Sequence, residues 1–237
     1  VTLVVAELNQ PFADHAAGGE AAVARAHVQQ DRFAEAWIQG CRMRLPKAAV
    51  AGSGQEVVAV VQTDPDSSVE EVTRLIADVI RSVRRVGGKI SDFSTGISRI
   101  IPSVDQLPEA YGQAHRAVSI GRQMHGGQSL IHFDALGVFR LLSLISDSHE
   151  LRVFVDETLG ELANDNSPTS VDLRQTLTAL LDSNLNVAET ARVLHFHYNT
   201  LRYRITKLEK MLGPFMTDPH TRLSIALALR VVQLRRL

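Results

Sequence analysis

Along the first 133 residues, short continuous apolar runs alternate with stripes at helical spacing. "TLVVAEL" at 2–8 is a strand candidate. From about Glu20 to Leu45, Val23, Phe33, Trp37 and Ile38 among many alanines predict a helix. The runs "AAVA" at 48–51 and "EVVAVVQ" at 56–62 flank "GSGQ". That is a hairpin signal, because glycine accepts the positive φ a tight turn requires. Val72, Leu75, Ile76, Val79, Ile80 and Val83 predict a helix over about 69–86, stopped by Gly87-Gly88. "SDFSTGISRII" reads as a strand. Asp105 is expected to cap a helix running to about Met124, with Pro108 in its first turn. Gly126-Gly127 ends that helix ahead of a last strand, "SLIHF" at 129–133.

Hairpin-linked strands with helical crossovers predict an α+β domain with a mainly antiparallel sheet. No strand, glycine-rich loop and helix follow one another as a phosphate loop would require. Beyond residue 133 the pattern is helical to the end. Segments at about 135–146 and 149–163 lead to "NDNSPTS" at 164–170, a stretch without an apolar residue that suits a linker or turn. Leu173, Leu177, Leu180 and Leu181 place a stripe on the next helix. "NVAETARVL" makes a short second one, with Asn186 as N-cap and Val187, Ala191 and Leu194 at i, i+4 and i+7. Then Leu201, Ile205, Leu208 and Leu212 each lie within about 40° of the direction of Leu201. A final helix after Asp218-Pro219 is apolar around most of its circumference, which calls for cover on more than one side. The other C-terminal helices or a second copy of the chain would supply it.

Composition narrows the class. The 237 residues are 45% hydrophobic and 22% charged, as in ordinary globular chains. One cysteine, Cys41, excludes an internal disulfide framework and fits a reducing, cytoplasmic setting. No apolar run approaches the roughly 20 residues of a membrane span. The net charge of −1 conceals an asymmetry: from Val171 onward ten Lys and Arg face five Asp and Glu, a balance of +5, and the preceding part carries −6. Only the C-terminal segment suits a polyanion.

The segment "HFHYNTLRYRITKLEKML" at 195–212 concentrates the candidate chemistry. On a helical wheel Asn199, Tyr203, Thr206 and Lys210 oppose the leucine stripe, Arg202 and Lys207 flank them, and Arg204 lies nearer the core edge. A short helix, a tight turn and a longer helix with a polar N-terminal end make a helix-turn-helix. Its first turn would enter the major groove, where Asn pairs with adenine and Arg with guanine, while free N–H groups, Thr200 and Tyr203 hold phosphates. The candidate DNA-binding residues are therefore His197, Tyr198, Asn199, Thr200, Arg202, Tyr203, Arg204 and Thr206. An amphipathic helical hairpin with a solvated polar face is the alternative on spacing alone. His195-x-His197 is expected to bind no metal, since no third ligand stands near in sequence.

"DLRQTLTALLDSNLNVAETARVLHFHYNTLRYRITKLEKMLG" resembles the C-terminal helix-turn-helix of the PucR/sugar-diacid-regulator (CdaR-like) family of bacterial transcription factors. Thr176, Leu177, Leu181, Asn186, Ala188, Ala191, Leu194, His197, Asn199, Thr200, Leu201, Tyr203, Arg204 and Ile205 carry the likeness, which is also similar to the Fis-type end of other bacterial regulators. Upstream, Ser94-Thr95-Gly96-Ile97-Ser98 with Ala114, Ala117, Gly121 and Gly126 resembles a degenerate GGDEF-type nucleotidyl cyclase domain, which implies a ferredoxin-like sheet. That resemblance puts the signature hairpin on Ser53-Gly54-Gln55-Glu56-Val57, with Gln55 where an acid is expected. Glu7 and Asn9 stand where the first strand would carry two aspartates, and Ala13 after Phe12 where a basic residue would follow. Glu7 and Glu56 alone would not balance the two divalent cations such phosphoryl transfer needs.

These readings predict three parts: a degenerate GGDEF-like domain over 1–134, a helical connector over 135–168, and an all-α helix-turn-helix domain over 169–237. The expected function is sequence-specific DNA binding by a cytoplasmic transcriptional regulator, with no catalytic residues, cofactor or metal. The expected partners are double-stranded DNA and a second copy of the chain, with no membrane. The resemblance further implies an N-terminal sensor domain for a small-molecule effector, so a fragment or truncated member is expected. The rivals are a nucleotide-binding or cyclase-like enzyme with an accessory helical module, and a scaffold whose helices bind protein partners.

Overall fold

The computed structural model describes residues 1–9, 19–88, 92–145 and 148–235. The chain divides into two compact units, Val1–Ser143 and Leu144–Leu237. In the first, strands β1 (Thr2–Leu8), β2 (Ala49–Ser53), β3 (Glu56–Val61), β4 (Phe93–Ile100) and β5 (Leu130–His132) form one sheet in the order β2-β3-β1-β4-β5. The first three pairings are antiparallel and β4-β5 is parallel. The interleaved helices are α1 (Gly19–Arg44), α2 (Val69–Gly87) and α3 (Leu107–His125).

The two-residue period of a strand sorts its side chains between the faces. Val4, Ala6 and Leu8 of β1 join Val57, Ala59 and Val61 of β3 beneath Phe33 and Trp37 of α1 and Ile76 of α2. Phe93 closes this core, its ring centroid 5.3 Å from that of Phe33 and 5.9 Å from that of Trp37. On the opposite face Leu3 and Val5 pack with Ala110, Ala114 and Val118 of α3. Both faces of β1 are covered, which explains its continuous apolar run. Gly96 allows α3 to come so close: a Cβ there would lie 2.1 Å from the Ala114 carbonyl oxygen and 2.6 Å from the Val118 nitrogen.

Several element ends differ from expectation for identifiable reasons. Ser103, not Asp105, caps the chain ahead of α3, accepting from the Asp105 backbone N–H at 3.3 Å; Asp105 sits inside a 3₁₀ turn, Val104–Gln106. The helix expected over 135–146 is instead a 3₁₀ turn, Phe133–Leu136, and a short helix α4, Phe139–Leu142, separated by Gly137 at φ +54°. Likewise the segment 149–163 divides into α5 (Ser148–Leu159) and α6 (Glu161–Asn164) at Gly160, φ +53°. Positive φ ends a right-handed helix, and glycine adopts it freely.

The second unit continues with α7 (Pro168–Asp182), α8 (Val187–Val193), α9 (Tyr198–Leu212) and α10 (Pro219–Arg235). The polar stretch at 164–170, expected as a linker or turn, is a hydrogen-bonded turn between α6 and α7. Asp165 accepts from the Ser167 backbone N–H at 2.8 Å, from Ser167 Oγ at 2.8 Å and from Ser170 Oγ at 2.6 Å. Buried Arg174 reaches back from α7 to the carbonyls of Leu162 and Asp165 at 2.7 and 2.6 Å. Leu162, Leu177, Leu180, Leu201, Leu208 and Phe215 are fully buried in this unit. Along α10, Ile225, Ala228, Leu229 and Val231 are buried, while Leu223 is exposed. Among the described residues no helix is long and apolar enough to cross a membrane.

Candidate nucleic-acid interface

Helix α8 begins at Asn186, whose side chain accepts from the Glu189 backbone N–H at 3.0 Å. Behind it, buried Thr190 donates to the Asn186 carbonyl at 2.8 Å. The turn into α9 is a Schellman closure: the His195 N–H donates to the Arg192 carbonyl at 3.2 Å and the Phe196 N–H to the Ala191 carbonyl at 2.9 Å. Such a closure needs a left-handed residue, and here it is His195, at φ +55°. That requirement accounts for the conformation of His195.

Leu201, Ile205 and Leu208 turn the apolar face of α9 inward. His197, Tyr198, Asn199, Thr200, Arg202, Tyr203 and Thr206 are all exposed, and Lys207 and Lys210 extend the same surface. Tyr203 is 73% exposed and Tyr198 49%, although tyrosine usually buries most of its ring. The start of the helix is open as well. Side chains cap α7 (Ser167) and α8 (Asn186), and Asp218 accepts from the first N–H groups of α10. His197 precedes α9 without a side-chain cap bond. The first N–H groups of α9 therefore point outward beside Asn199 and Thr200, at the positive end of the helix dipole.

Arg204 departs from the expected set. Its guanidinium donates to Thr176 Oγ1 at 3.1 Å and to Asp172 Oδ2 at 3.4 Å, and it stacks over the Phe196 ring with Cζ 4.3 Å from the centroid. This half-buried side chain ties α9 to α7 and to the turn. The sequence does not mark Phe196, Thr176 or Asp172 as its partners. Two of them lie more than two helical turns away on another element, and the only signal is the position of Arg204 near the core edge of the wheel.

The cyclase-like resemblance can be followed to its residues too. Glu7 shares the parity of Leu3 and Val5, and Glu56 that of Val58 and Val60, so both carboxylates face α3 as direct cross-strand partners. Like charges so placed repel. Helix α3 answers with Tyr111, His115 and Arg122, which lie on one stripe of its surface. Arg122 Nη2 donates to Glu7 at 2.7 Å, His115 Nε2 lies 3.3 Å from Glu7, and the Tyr111 hydroxyl meets both Glu56 oxygens at 3.0 and 3.1 Å. Glu7, Glu56 and His115 bring one ligand atom each within 4.8 Å of one another, a set that only the folded chain assembles. The Arg122 charge already balances one carboxylate of that set. Asn9 accepts from Ser94 Oγ at 2.8 Å and donates to Asp92 at 2.8 Å, while the Gln55 carbonyl accepts from the Leu8 N–H at 3.0 Å. Phe12 and Ala13, where a basic residue would be expected, lie outside the described residues.

Comparison with known proteins matches residues 2–120 to the GGDEF-like domain and residues 173–231 to the PucR C-terminal helix-turn-helix domain. The purine catabolism regulatory protein of Bacillus subtilis (strain 168) is 33% identical over 141 residues, 60% of this chain and 26% of that protein. The proline-responsive transcriptional activator PutR of the same strain is 27% identical over 130 residues, 54% of this chain and 31% of its own length. The chain thus spans between a quarter and a third of these two curated relatives. A crystal structure of a regulator of polyketide synthase expression from Bifidobacterium adolescentis covers all of this chain and 86% of its own, at 16% identity and a TM-score of 0.34. With the GGDEF-like match spanning half of its residues, this chain belongs to the GGDEF-like family, and it carries a PucR C-terminal helix-turn-helix domain after it.

Proposed function

We propose that the chain binds duplex DNA through the N-terminal half of α9 and serves as the DNA-contacting part of a transcriptional regulator. One observation carries the reading: α9 is left without an N-terminal side-chain cap, and from its cap position to its third turn it exposes His197, Tyr198, Asn199, Thr200, Arg202, Tyr203 and Thr206 while its leucine face is buried. Donors left open in this way suit phosphates, and the Asn and Arg side chains beside them suit base edges. In this reading Arg204 acts on the interface from within.

The first domain is non-catalytic in the same proposal. Its two residual carboxylates are engaged by α3, and Gln55 and Asn9 stand where metal ligands would be required. Residues 1–134 regulate or assemble, 135–168 connect, and 169–237 read DNA. The protein works in the cytoplasm as a homodimer, because helix-turn-helix proteins read paired half-sites, and a small-molecule effector sets its occupancy. The test is a gel-shift titration of the chain on duplex fragments at several salt concentrations. Binding whose log affinity falls linearly with log salt supports the reading, and absence of binding at low salt overturns it.

A further inference from the structure

Three arginines from three different elements of the first unit converge on one aromatic ring. The Cζ atoms of Arg99 (β4), Arg116 (α3) and Arg140 (α4) lie 5.4, 5.3 and 5.4 Å from the centroid of Phe133, which is buried beneath them. No two of these charges are then more than about 11 Å apart, close to the ~8 Å over which physiological salt screens. One carboxylate stands among them. Asp134 Oδ1 accepts from Arg99 Nε at 2.8 Å and from Arg140 Nη1 at 2.9 Å. Those contacts hold its carboxyl below the usual carboxylate range, with the Arg99 hydrogen bond the leading cause, so it is ionised and already shared. Arg116 makes no ion pair among the described residues and donates only Nε, to the Gly112 carbonyl at 3.2 Å. The field of Glu109, whose carboxylate accepts from Gln113 Nε2 at 3.1 Å, also reaches Arg99, so three guanidiniums face two carboxylates. His132, buried next to Phe133, accepts the Asp134 N–H on Nδ1, and burial lowers its pKa. The surroundings keep an excess of positive charge.

These guanidiniums are also held in place. Ring stacking and backbone or carboxylate bonds fix each one, while the Arg99 side chain stays 48% exposed and that of Arg140 33%. Asp134 offsets one of the three charges, and cation–π contact with a single ring does not compensate the excess that remains. An added anion would, and fixed donors lose little entropy on binding it. Guanidinium forks match the paired oxygens of phosphate and carboxylate. We infer that Arg99, Arg116 and Arg140 form a receptor for a small ligand bearing a dianionic oxyanion group, either a phosphate or a pair of carboxylates.

The site shares no residue with α9, and its test does not depend on DNA. Isothermal titration calorimetry of the whole chain, at ionic strength held constant with sodium chloride, would use inorganic phosphate in one arm and succinate in the other. Saturable binding of either probe is expected, and the probe bound more tightly identifies the oxyanion class. Arg116→Gln should weaken that binding roughly tenfold or more, the loss of a charge-assisted contact. Should Arg116→Gln fail to melt cooperatively, Arg140→Gln provides the same readout. Saturable binding by neither probe, or undiminished affinity in the folded variant, would overturn the inference.

Discussion

The α3 face of the first unit and the N-terminal half of α9 both gather polar side chains, yet they dispose of them in opposite ways. Around Glu7 and Glu56 most polar groups meet one another: Arg122 Nη2 and His115 Nε2 reach Glu7 and the Tyr111 hydroxyl reaches Glu56, while Arg122 Nε alone is buried without a partner in this cluster. On α9 the leucine face is closed and the polar face is open, down to uncapped backbone donors. A satisfied cluster needs no ligand to complete it, whereas unsatisfied donors on a rigid helix are groups prepared for one. Residue type alone does not separate the two cases. Partnership does.

The largest mutational effect is expected at the hidden side of α9. Leu201 is fully buried, and Leu201→Ala should lower stability by about 2–5 kcal/mol, read as a shift in the denaturant midpoint. If this variant were neutral, the inward face of α9 would be wrongly assigned. Next comes the contrast between neighbouring arginines. Arg204→Ala removes two hydrogen bonds and the Phe196 stack and should cost about 1–3 kcal/mol in stability. Exposed Arg202→Ala should leave the melt within about 0.5 kcal/mol of the parent while weakening DNA binding. Equal melting of the two variants would remove the distinction drawn between them.

Two smaller effects sharpen the local picture. His195 occupies the left-handed region at the α8–α9 turn, so His195→Gly should raise stability by about 0.5–1 kcal/mol in the same denaturant series. A decrease would mean that the imidazole makes a contact worth more than the strain. At the corner before α7, hydrogen bonds from Ser170 and Ser167 lower the Asp165 pKa from 3.8 to about 2. A depressed folded pKa means the bonds contribute fully above the ordinary value and are lost as pH falls through about 2. NMR titration of the Asp165 carboxyl carbon should show that low midpoint, and Ser170→Ala should raise it toward 3.8. An unperturbed midpoint in the parent protein would show that the corner is open.

The sequence carried the elements whose signals are local and repeated. The run at 2–8, the stripe from Val72 to Val83 and the Leu201–Leu208 face are each defined by several residues in phase, and each appears as an ordered element. Single-residue punctuation was harder. Gly137 and Gly160 interrupt apolar segments that periodicity alone would run together. The polar stretch 164–170 has the composition of a linker or turn, and Asp165 and Arg174 make it a fixed turn through contacts that composition does not encode. Most of the proposed α9 surface could be read on the helical wheel. The fate of Arg204 could not, since Thr176 lies 28 residues earlier. The clustering of Glu7 and Glu56 with His115 required the strand register.

The central claim is that the open face of α9 is where DNA is read. It is tested most directly by combining Asn199→Ala, Arg202→Ala and Tyr203→Ala in one chain, then measuring its affinity for a selected operator and for random duplex at one salt concentration. Each lost base contact costs about 1–3 kcal/mol on the operator, so discrimination between the two duplexes should collapse while the protein still melts cooperatively. Unchanged operator binding by a cooperatively folded triple variant would contradict the account.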